Sequence, residues 1–426
     1  MATMAVCMMP AVAATTDGGK VFNAVVATDG TGDFASVQQA IDAAPAGRTS
    51  PWLIFVKAGS YKEVVCIPKD KPFIHLIGQD KERTVIHNAL NVGGKPQPGT
   101  PAKDTAYWAC SVHNPASPVY KAGGSVVTVE ANDFYTTGIS YVNDYGVGSQ
   151  RGPQALAMKS RGDRAGFFDC KLRSFQDTWM TTQNDSYRHY VKDCFIEGAV
   201  DYFYGGGDAL LENCTLYNVR RGSVIVAPCH DKARWGYVFR NCTIDGNAEA
   251  ARDAKTALGR PWHNSPRAVY IHTTMRIPIA PRGWSDMGAI PALFAEYDSR
   301  NADGSPVDLS QRKSTYKGRG DNPPTGSCPN TVSKAEADRM VYENIIPGTD
   351  GWDPRAMMQR LPAPKDMRAD GGSLTWQPVS GAIGYVVLSG PSVVAVTAAP
   401  SLSPAPAAPE GGLRVRAVNR YGTLGE

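Results

Sequence analysis

The fold is decided by four short stretches that share one pattern: FFDCKL at residues 167–172, VKDCFI at 191–196, LENCTL at 211–216 and FRNCTI at 239–244. Each has Asp or Asn, then Cys, then any residue, then Leu or Ile, and Cys170, Cys194, Cys214 and Cys242 are 24, 20 and 28 residues apart. A β-rich period of this length, without helices, indicates a solenoid in which each coil returns the same residue to the same inward position. The sequence therefore predicts an all-β chain built around a right-handed parallel β-helix. A chance repeat within a β-sandwich is the alternative.

The repeat also sets expectations for the residues inside and beside it. Asp169, Asp193, Asn213 and Asn241 precede the four cysteines and are expected to form a polar ladder. Stacked side chains on neighbouring rungs point the same way, so we favour a ladder of reduced cysteines, which pack well as small apolar residues. One bridge between rungs, Cys194–Cys214, is the alternative.

Composition excludes several classes of protein. Of the 426 residues 42% are hydrophobic and 20% charged, which is unlike a disordered chain. No apolar run reaches the roughly 18 residues of a transmembrane helix. A net charge of +4 gives no sign of a nucleic-acid partner. The 43 glycines and 31 prolines indicate many turns between short strands.

The chain is expected to have three parts. Residues 1–14 are apolar, end in small residues and resemble a signal peptide, which predicts a secreted or periplasmic protein; a plain apolar tail is the alternative. Residues 20–350 hold the β-helix, with one helix predicted at 34–44 and another at 333–344. Residues 362–426 alternate like strands and resemble a short or incomplete fibronectin type III module, a small β-sandwich-like appendage.

Two aspartates repeat with the coil. Asp177 and Asp201 each lie seven residues after a repeat cysteine, so they should occupy the same position on adjacent rungs. Neighbouring strands are roughly 4.8 Å apart. Two carboxyl groups that close cannot both ionise freely, so one pKa rises and their roles separate. An ordinary polar ladder without catalytic function is the alternative.

Two glutamines complete a possible catalytic group. Gln176 is adjacent to Asp177, and Gln154 should fall near the rung below. One ionised Asp could attack an ester, amide donors could stabilise the oxyanion, and a protonated Asp could serve the leaving alcohol. The sequence contains no GxSxG, HExxH, Walker or GxGxxG motif, so ester hydrolysis by serine or by a metal is not expected.

In this context the chain resembles the pectinesterase (pectin methylesterase) family. Five motifs match in order: GSYKE at 59–63, QALAM at 154–158, QDTW at 176–179, DYFYG at 201–205 and LGRPW at 258–262. The resemblance covers about residues 21–350. It implies hydrolysis of galacturonate methyl esters in pectin, with release of methanol.

The resemblance also implies roles for individual residues. Asp201 corresponds to the nucleophile, Asp177 to the general acid/base, and Gln176 and Gln154 to the oxyanion donors. Arg260 corresponds to a guanidinium that pairs with the nucleophile and lowers its pKa. No cofactor and no metal are implied. The expected partner is methyl-esterified homogalacturonan, with no nucleic acid, no membrane and a monomeric chain.

Substrate contacts are expected from three aromatic residues. Trp262 corresponds to a sugar-stacking ring, and Trp179 and Phe203 replace aliphatic residues of the family pattern near the nucleophile, where they would add aromatic surface. A pectin lyase or polygalacturonase of the same fold, and a non-catalytic binding solenoid, are the competing functions. The acidic calcium cluster of the first and the GHG motif of the second are not evident.

Overall fold

The computed structural model of the protein describes residues 20–92, 124–406 and 412–426. The chain divides into two compact units. Of the described residues, those within 24–358 form the larger unit, and those within 1–23 and 359–426 form the smaller one. The predicted segment at residues 1–14 lies outside the described residues.

Three long sheets, each of parallel strands, form the larger unit. The first sheet has ten strands, which are β1 (Ala24–Val26), β2 (Trp52–Val56), β5 (Ile74–Gly78), β8 (Tyr135–Thr137), β11 (Ala165–Phe168), β14 (Arg188–Lys192), β17 (Asp208–Glu212), β20 (Tyr237–Arg240), β23 (Arg267–Ile271) and β25 (Leu293–Tyr297). The second sheet has nine, which are β3 (Gly59–Lys62), β6 (Thr84–Asn88), β9 (Ser140–Asn143), β12 (Lys171–Arg173), β15 (Phe195–Gly198), β18 (Thr215–Asn218), β21 (Thr243–Gly246), β24 (Thr274–Met275) and β26 (Arg300–Asn301). The third sheet has seven, which are β4 (Val65–Ile67), β7 (Ser125–Val129), β10 (Leu156–Ser160), β13 (Trp179–Met180), β16 (Val200–Gly205), β19 (Val224–Pro228) and β22 (Ala257–Gly259).

The order of these strands along the chain makes the unit a parallel β-helix. From β3 to β23 the chain visits the second, third and first sheets in turn, and each return adds one strand to the edge of each sheet. Each of these coils therefore contributes three short strands, and the inward side chains of all three sheets meet in one core. The predicted fold is confirmed.

The repeat that predicted this fold is in register. Lys171 pairs with Phe195, Phe195 with Thr215 and Thr215 with Thr243, so the preceding cysteines stack one above another and are buried. The Sγ atom of each cysteine lies 3.3–3.4 Å from the carbonyl oxygen two residues earlier, as in Cys170 with Phe168.

All four repeat cysteines are free, which confirms the reduced ladder. The structure adds a disulfide that the sequence did not predict, because Cys66 is disulfide-bonded.

The polar residues of the repeat form the turn between the first and second sheets. Asp169, Asp193, Asn213 and Asn241 all have φ between 52° and 55°, the left-handed region in which Asn and Asp are tolerated better than most residues. Their position is therefore set by the backbone of the turn, and the cysteine that follows each of them points back into the core.

The described residues include five short helices beside the strands: α1 (Val37–Asp42), α2 (Asp144–Ser149), α3 (Lys334–Arg339), α4 (Tyr342–Ile345) and α5 (Pro354–Met357). Glu63 accepts hydrogen bonds from the backbone nitrogens of Val37 and Gln38, so this residue of the GSYKE motif caps α1. The predicted capping box of Ser333 and Glu336 is present at the start of α3.

The helix predicted at 333–344 is divided in two. Met340, with φ −86° and ψ 61°, leaves the helical region after α3. Arg240 donates to the carbonyl oxygens of Ala337 and Met340 at 2.9 and 3.1 Å, which satisfies acceptors that a continuous helix would have used. An antiparallel pair, β27 (Thr315–Lys317) and β28 (Thr325–Ser327), precedes these helices.

The smaller unit contains two antiparallel sheets of three strands. One consists of β29 (Arg368–Asp370), β30 (Ser373–Thr375) and β33 (Ser401–Leu402), and the other of β31 (Ala382–Ser389), β32 (Ser392–Thr397) and β34 (Leu413–Asn419). Leu374, Trp376, Tyr385, Val387 and Val415 are buried together in its core. The fibronectin type III resemblance of residues 362–426 stays a prediction.

Candidate active site

The two repeating aspartates face each other on adjacent rungs of the third sheet. Gln176 pairs with Val200 and Trp179 pairs with Phe203, so Asp177 lies in register with Asp201. The backbone nitrogen of Asp177 donates to the carbonyl oxygen of Val200 at 2.9 Å. Their φ values are 62° and 49°, which places both at the turn where the chain enters the third sheet.

A β-bulge lies at Asp201. From Val200 to Phe203 the strand β16 advances three residues while its partner β19 advances two, from Val224 to Val226. A bulge changes the direction of the side chain it carries and breaks the in-out alternation of the strand.

The guanidinium group of Arg260 binds the carboxylate of Asp201 through two hydrogen bonds. Its Nε donates to Oδ1 at 2.8 Å and its Nη2 donates to Oδ2 at 2.6 Å, the two-pronged geometry that a guanidinium forms best with a carboxylate. Arg260 follows β22, two rungs beyond β16, and its side chain returns over β19 to reach Asp201. The side chain of Asp201 is 7% exposed, so the pair is largely shielded from water.

The two carboxyl groups differ in protonation. Burial raises the pKa of Asp177 well above its usual range and the charge of Asp201 raises it further, while Arg260 and a hydrogen bond with Tyr204 lower it only in part. Burial also raises the pKa of Asp201, but the hydrogen bonds and charge of Arg260 and the charge of Arg220 oppose that rise. The expectation that Arg260 lowers the pKa of Asp201 is correct for that contact, although the net direction is upward. Asp177 is the group that holds a proton most readily.

Two side-chain amides lie beside the aspartates. Gln176 immediately precedes Asp177. The backbone carbonyl oxygen of Gln176 accepts a hydrogen bond from the backbone nitrogen of Ala155 at 3.0 Å, so Gln154 lies next to Gln176 on the neighbouring rung. Both glutamines are half-buried. Gly152 packs closely against Gln176: a Cβ atom added to Gly152 would lie 2.9 Å from Oε1 of Gln176. Within residues 20–92, 124–406 and 412–426 neither side-chain amide forms a hydrogen bond, so their donors are free for a ligand.

An apolar surface extends from these groups along the outer face of the third sheet. Leu156, Tyr204 and Ala227 form its floor, and Met180 and Trp262 pack against them. The rings of Tyr204 and Trp262 are 5.6 Å apart in an edge-to-face arrangement. Because the hydroxyl of Tyr204 is close enough to Asp177 to lower its pKa, this surface extends to the carboxyl pair.

The structure contradicts the substrate contacts predicted for Trp179 and Phe203. Both side chains are 0% exposed and lie in the core of the β-helix, where their rings are 5.2 Å apart. Trp179 Nε1 donates to Ser160 Oγ at 2.8 Å, so its polar edge is satisfied inside the core. Trp262, by contrast, is half-buried on the outer surface as expected.

The residues that face outward instead are their neighbours. Met180 follows Trp179 and Tyr204 follows Phe203, and side chains of successive strand residues point to opposite faces. Alternation counted from Asp201 gives the wrong face because the bulge inserts a residue. Counting forward by one residue from the buried Phe203 identifies Tyr204.

Arg220 is a second cation that the sequence reasoning missed. Its side chain is exposed, its Nη2 donates to the carbonyl oxygen of Gly222 at 3.0 Å, and its charge lowers the pKa of Asp201. The only sequence signal is its position in the loop one rung beyond Asp201, which becomes informative once the register is known.

The part of the chain that the structure describes has neither a metal-binding cluster nor a membrane-spanning helix. It contains no group of three or more His, Cys, Asp or Glu side chains placed to hold a metal ion. None of its helices is long and apolar enough to cross a membrane.

Comparison with known proteins gives a consistent result. A family model described as Pectinesterase matches residues 23–100 and 104–319. Pectinesterase 31 of Arabidopsis thaliana is 34% identical over 281 residues, which are 64% of this chain and 80% of that protein. A pectinesterase of Petunia integrifolia is 30% identical over 311 residues, 70% of this chain and 74% of that protein.

Solved structures share the fold. A pectin methylesterase from carrot, 24% identical, superposes with a TM-score of 0.60 over 76% of this chain and 93% of that one. Pectin methylesterase PemA from Erwinia chrysanthemi, also 24% identical, gives 0.59 over 78% and 98%.

Proposed function

The chain belongs to the pectinesterase family, and on that premise we propose that it hydrolyses the methyl esters of galacturonate in pectin, releasing methanol and de-esterified pectin. The observation that carries the proposal is the Asp201–Arg260 pair beside a second carboxyl group, Asp177, whose pKa is raised well above its usual range. One carboxylate is held ionised by a guanidinium, and its neighbour keeps a proton. Ester hydrolysis without a serine requires these two states, an ionised carboxylate as nucleophile and a protonated carboxyl group as acid.

In the first half of the reaction Asp201 is the nucleophile. One of its carboxylate oxygens attacks the ester carbonyl carbon, and the carbonyl electrons move to oxygen. The amide donors of Gln154 and Gln176 stabilise that oxyanion. When the carbonyl re-forms, the bond to methoxide breaks and Asp177 gives the leaving oxygen its proton, so that methanol departs.

In the second half Asp177 acts as the base. The first half leaves an anhydride between Asp201 and the galacturonate carboxyl group, and leaves Asp177 ionised. Asp177 takes a proton from a water molecule that attacks the anhydride, and cleavage restores the Asp201 carboxylate. The enzyme returns to its starting protonation state, and the galacturonic acid that leaves gives its proton to the solvent and becomes galacturonate.

The surface around the carboxyl pair suits an acidic polysaccharide. We assign Trp262 to stacking against a sugar ring, with Tyr204 and Met180 supplying further apolar contact. Arg220 lies exposed near Asp201, where its charge would attract the carboxylates of sugars that have already lost their methyl groups. Trp179 and Phe203 support this surface from within the core.

Methanol release tests the proposal. The protein is incubated with highly methylated pectin, and methanol, new reducing ends and unsaturated ends are measured together. Methanol alone is expected. Reducing ends without methanol would point to a polygalacturonase and unsaturated ends to a lyase, while the absence of all three products would favour a binding solenoid. Acetylated pectin assayed in parallel tests whether the esterase prefers methyl esters.

The setting of the reaction follows from its substrate. Polymeric pectin lies outside the cytoplasm, which supports a secreted or periplasmic location for the enzyme. We propose that the active unit is a monomer with methyl-esterified homogalacturonan as its partner, since every residue assigned above comes from one chain.

A further inference from the structure

A second concave site lies in the larger unit, apart from the candidate active site. It is a cavity of about 300 Å³, which is at the lower end of the range of volumes found for ligand pockets in proteins. Ser186, Asp208, Arg234, Trp235 and Thr349 are among the residues that line it. The catalytic group and the apolar surface beside it contribute none of its lining.

Asp208 is the buried polar group of the cavity. The residue is 8% exposed, and its Oδ1 accepts hydrogen bonds from the backbone nitrogens of Trp235 and Gly236, both at 2.8 Å. No described residue donates to Oδ2, so one carboxylate oxygen is left for a ligand in the cavity. Burial raises the pKa of Asp208 to about 6, so above that pH this oxygen is a charged acceptor.

The adjacent wall offers a ring and a cation. The Arg234 guanidinium carbon lies 5.1 Å from the centre of the Trp235 ring. Arg234 is exposed, and among the described residues no carboxylate pairs with it. The half-buried indole provides a flat apolar surface, and the guanidinium can bind a carboxylate with two hydrogen bonds.

The opposite wall is held in place by charge pairing. Arg188 donates to Asp163 at 3.0 Å and to Asp350 at 3.2 Å, and it also binds the carbonyl oxygen of Ile346 at 3.2 Å. These bonds fix the segment around residues 344–350 against the first sheet, so the cavity is preformed.

We propose that this cavity is a second carbohydrate site that binds one uronate residue of the polysaccharide. The sugar ring packs against Trp235, its carboxylate pairs with Arg234, and a ring hydroxyl donates to Asp208 Oδ2. The choice of a uronate over another acidic sugar rests on the proposed function. That the cavity binds an acidic sugar at all is argued only from its own carboxylate, indole ring and guanidinium. Such a site would hold a polymer chain to the enzyme between turnovers.

The test is a binding titration of trigalacturonate, which has no methyl ester for the enzyme to hydrolyse. Arg234→Ala should weaken one binding component by about 10- to 100-fold, the loss expected for a charged hydrogen-bond partner. Arg48→Ala is the control, because the guanidinium carbon of Arg48 also lies over a tryptophan ring, 4.9 Å from the centre of that of Trp52, but Arg48 does not line this cavity. Trp262→Ala should leave the Arg234-dependent component unchanged.

Three outcomes would overturn the proposal: no component that depends on Arg234, the same loss in Arg48→Ala, or equal binding of a neutral galactose trimer. Because Arg234 is exposed, its replacement should not affect folding, and an unchanged melting temperature verifies this. Methanol release by the unmutated protein is measured separately. If it is absent while the Arg234-dependent component persists, the proposed function fails and the second site stands.

Discussion

At the scale of single residues, the candidate site depends on two carboxyl groups that share a rung position but have different surroundings. Burial acts on both and favours the neutral form. Only Asp201 receives two hydrogen bonds from a guanidinium, so the cost of its charge is offset, whereas Asp177 meets the negative charge of its neighbour. The spacing of the repeat predicts the pair and its register, whereas the member that holds the proton is implied only by the family resemblance.

Replacing either carboxyl group should abolish most of the activity. Asp201→Asn removes the nucleophile and Asp177→Asn removes the proton donor, so each should lower kcat by several orders of magnitude in a protein that still folds. Gln176→Ala removes one oxyanion donor and should cost roughly 10²–10³ in kcat. Turnover numbers for methanol release, with circular dichroism to verify folding, test this order. Near-normal activity of Asp201→Asn would refute the mechanism.

The Arg260→Lys substitution should move the pH dependence. Lysine keeps the charge but loses the two-pronged contact, so it opposes the effect of burial on Asp201 less well and the pKa of Asp201 rises. Activity that needs ionised Asp201 is lost as pH falls through that pKa, so the acid limb of the kcat/KM profile should move to higher pH.

A matched control for that experiment is Arg221→Lys. Arg221 binds Asp253 through Nε at 2.9 Å and through Nη2, at a surface position with no assigned catalytic role. Its profile should coincide with that of the unmutated protein. If Arg260→Lys also gives an unchanged acid limb, Arg260 does not control the ionisation of Asp201.

At the scale of strands and turns, the site depends on two breaks in regular structure. The aspartates have left-handed φ values where the chain enters the third sheet, and β16 has a bulge at Asp201. Hydrophobic alternation identifies the inward face of a regular strand, but it contains no information about where an extra residue is inserted. The expectation for Trp179 and Phe203 rests on their closeness in sequence to the aspartates, which does not say which face of a strand a side chain takes, and only Phe203 lies on the bulged strand. Trp262 lies on the outer surface as expected.

Two tryptophan substitutions separate the faces of the third sheet. Trp179→Ala leaves a cavity in the β-helix core and should lower the free energy of unfolding by about 3–5 kcal/mol. Trp262→Ala should instead raise KM for pectin about tenfold, because it removes a stacking surface, with little change in stability. Denaturant unfolding and steady-state kinetics are measured on both variants. A stable Trp179→Ala variant with a raised KM would restore the original assignment.

At the scale of the whole molecule, the β-helix gives a sequence signal that a compact sandwich would not. Each coil repeats the same environment, so Cys, Leu or Ile, and Asp or Asn recur where the backbone requires them. The spacings vary because loops of different length separate the strands, while the strand register is preserved. The cavity beside Asp208 gave no such signal, because its walls come from segments more than 100 residues apart in sequence.

The stacked cysteines allow the whole solenoid to be tested chemically. Each thiol can donate to the carbonyl oxygen two residues before it in its own chain segment. Cys214 and Cys242 also lie 3.6 and 3.5 Å from the carbonyl oxygens of Val191 and Leu211 on the preceding rung. Burial raises the pKa of Cys170, Cys194 and Cys214 well above the usual range, which suppresses the thiolate needed for oxidation or alkylation. The ladder should therefore stay reduced even in an oxidising compartment, and the folded protein should protect it from alkylating reagents.

Peptide mapping after alkylation tests the ladder rung by rung. In the folded protein the peptides containing Cys170, Cys194, Cys214 and Cys242 should remain unmodified; in denaturant without reductant all four should be alkylated. Cys66 is the internal control, because its disulfide should require reduction before the residue reacts. A ladder cysteine that needs reductant would show that a bridge between rungs forms, and early alkylation in the folded state would mean that the coils open separately. Simultaneous exposure of all four on unfolding is expected, since each coil packs only on its neighbours and the loss of one exposes the next.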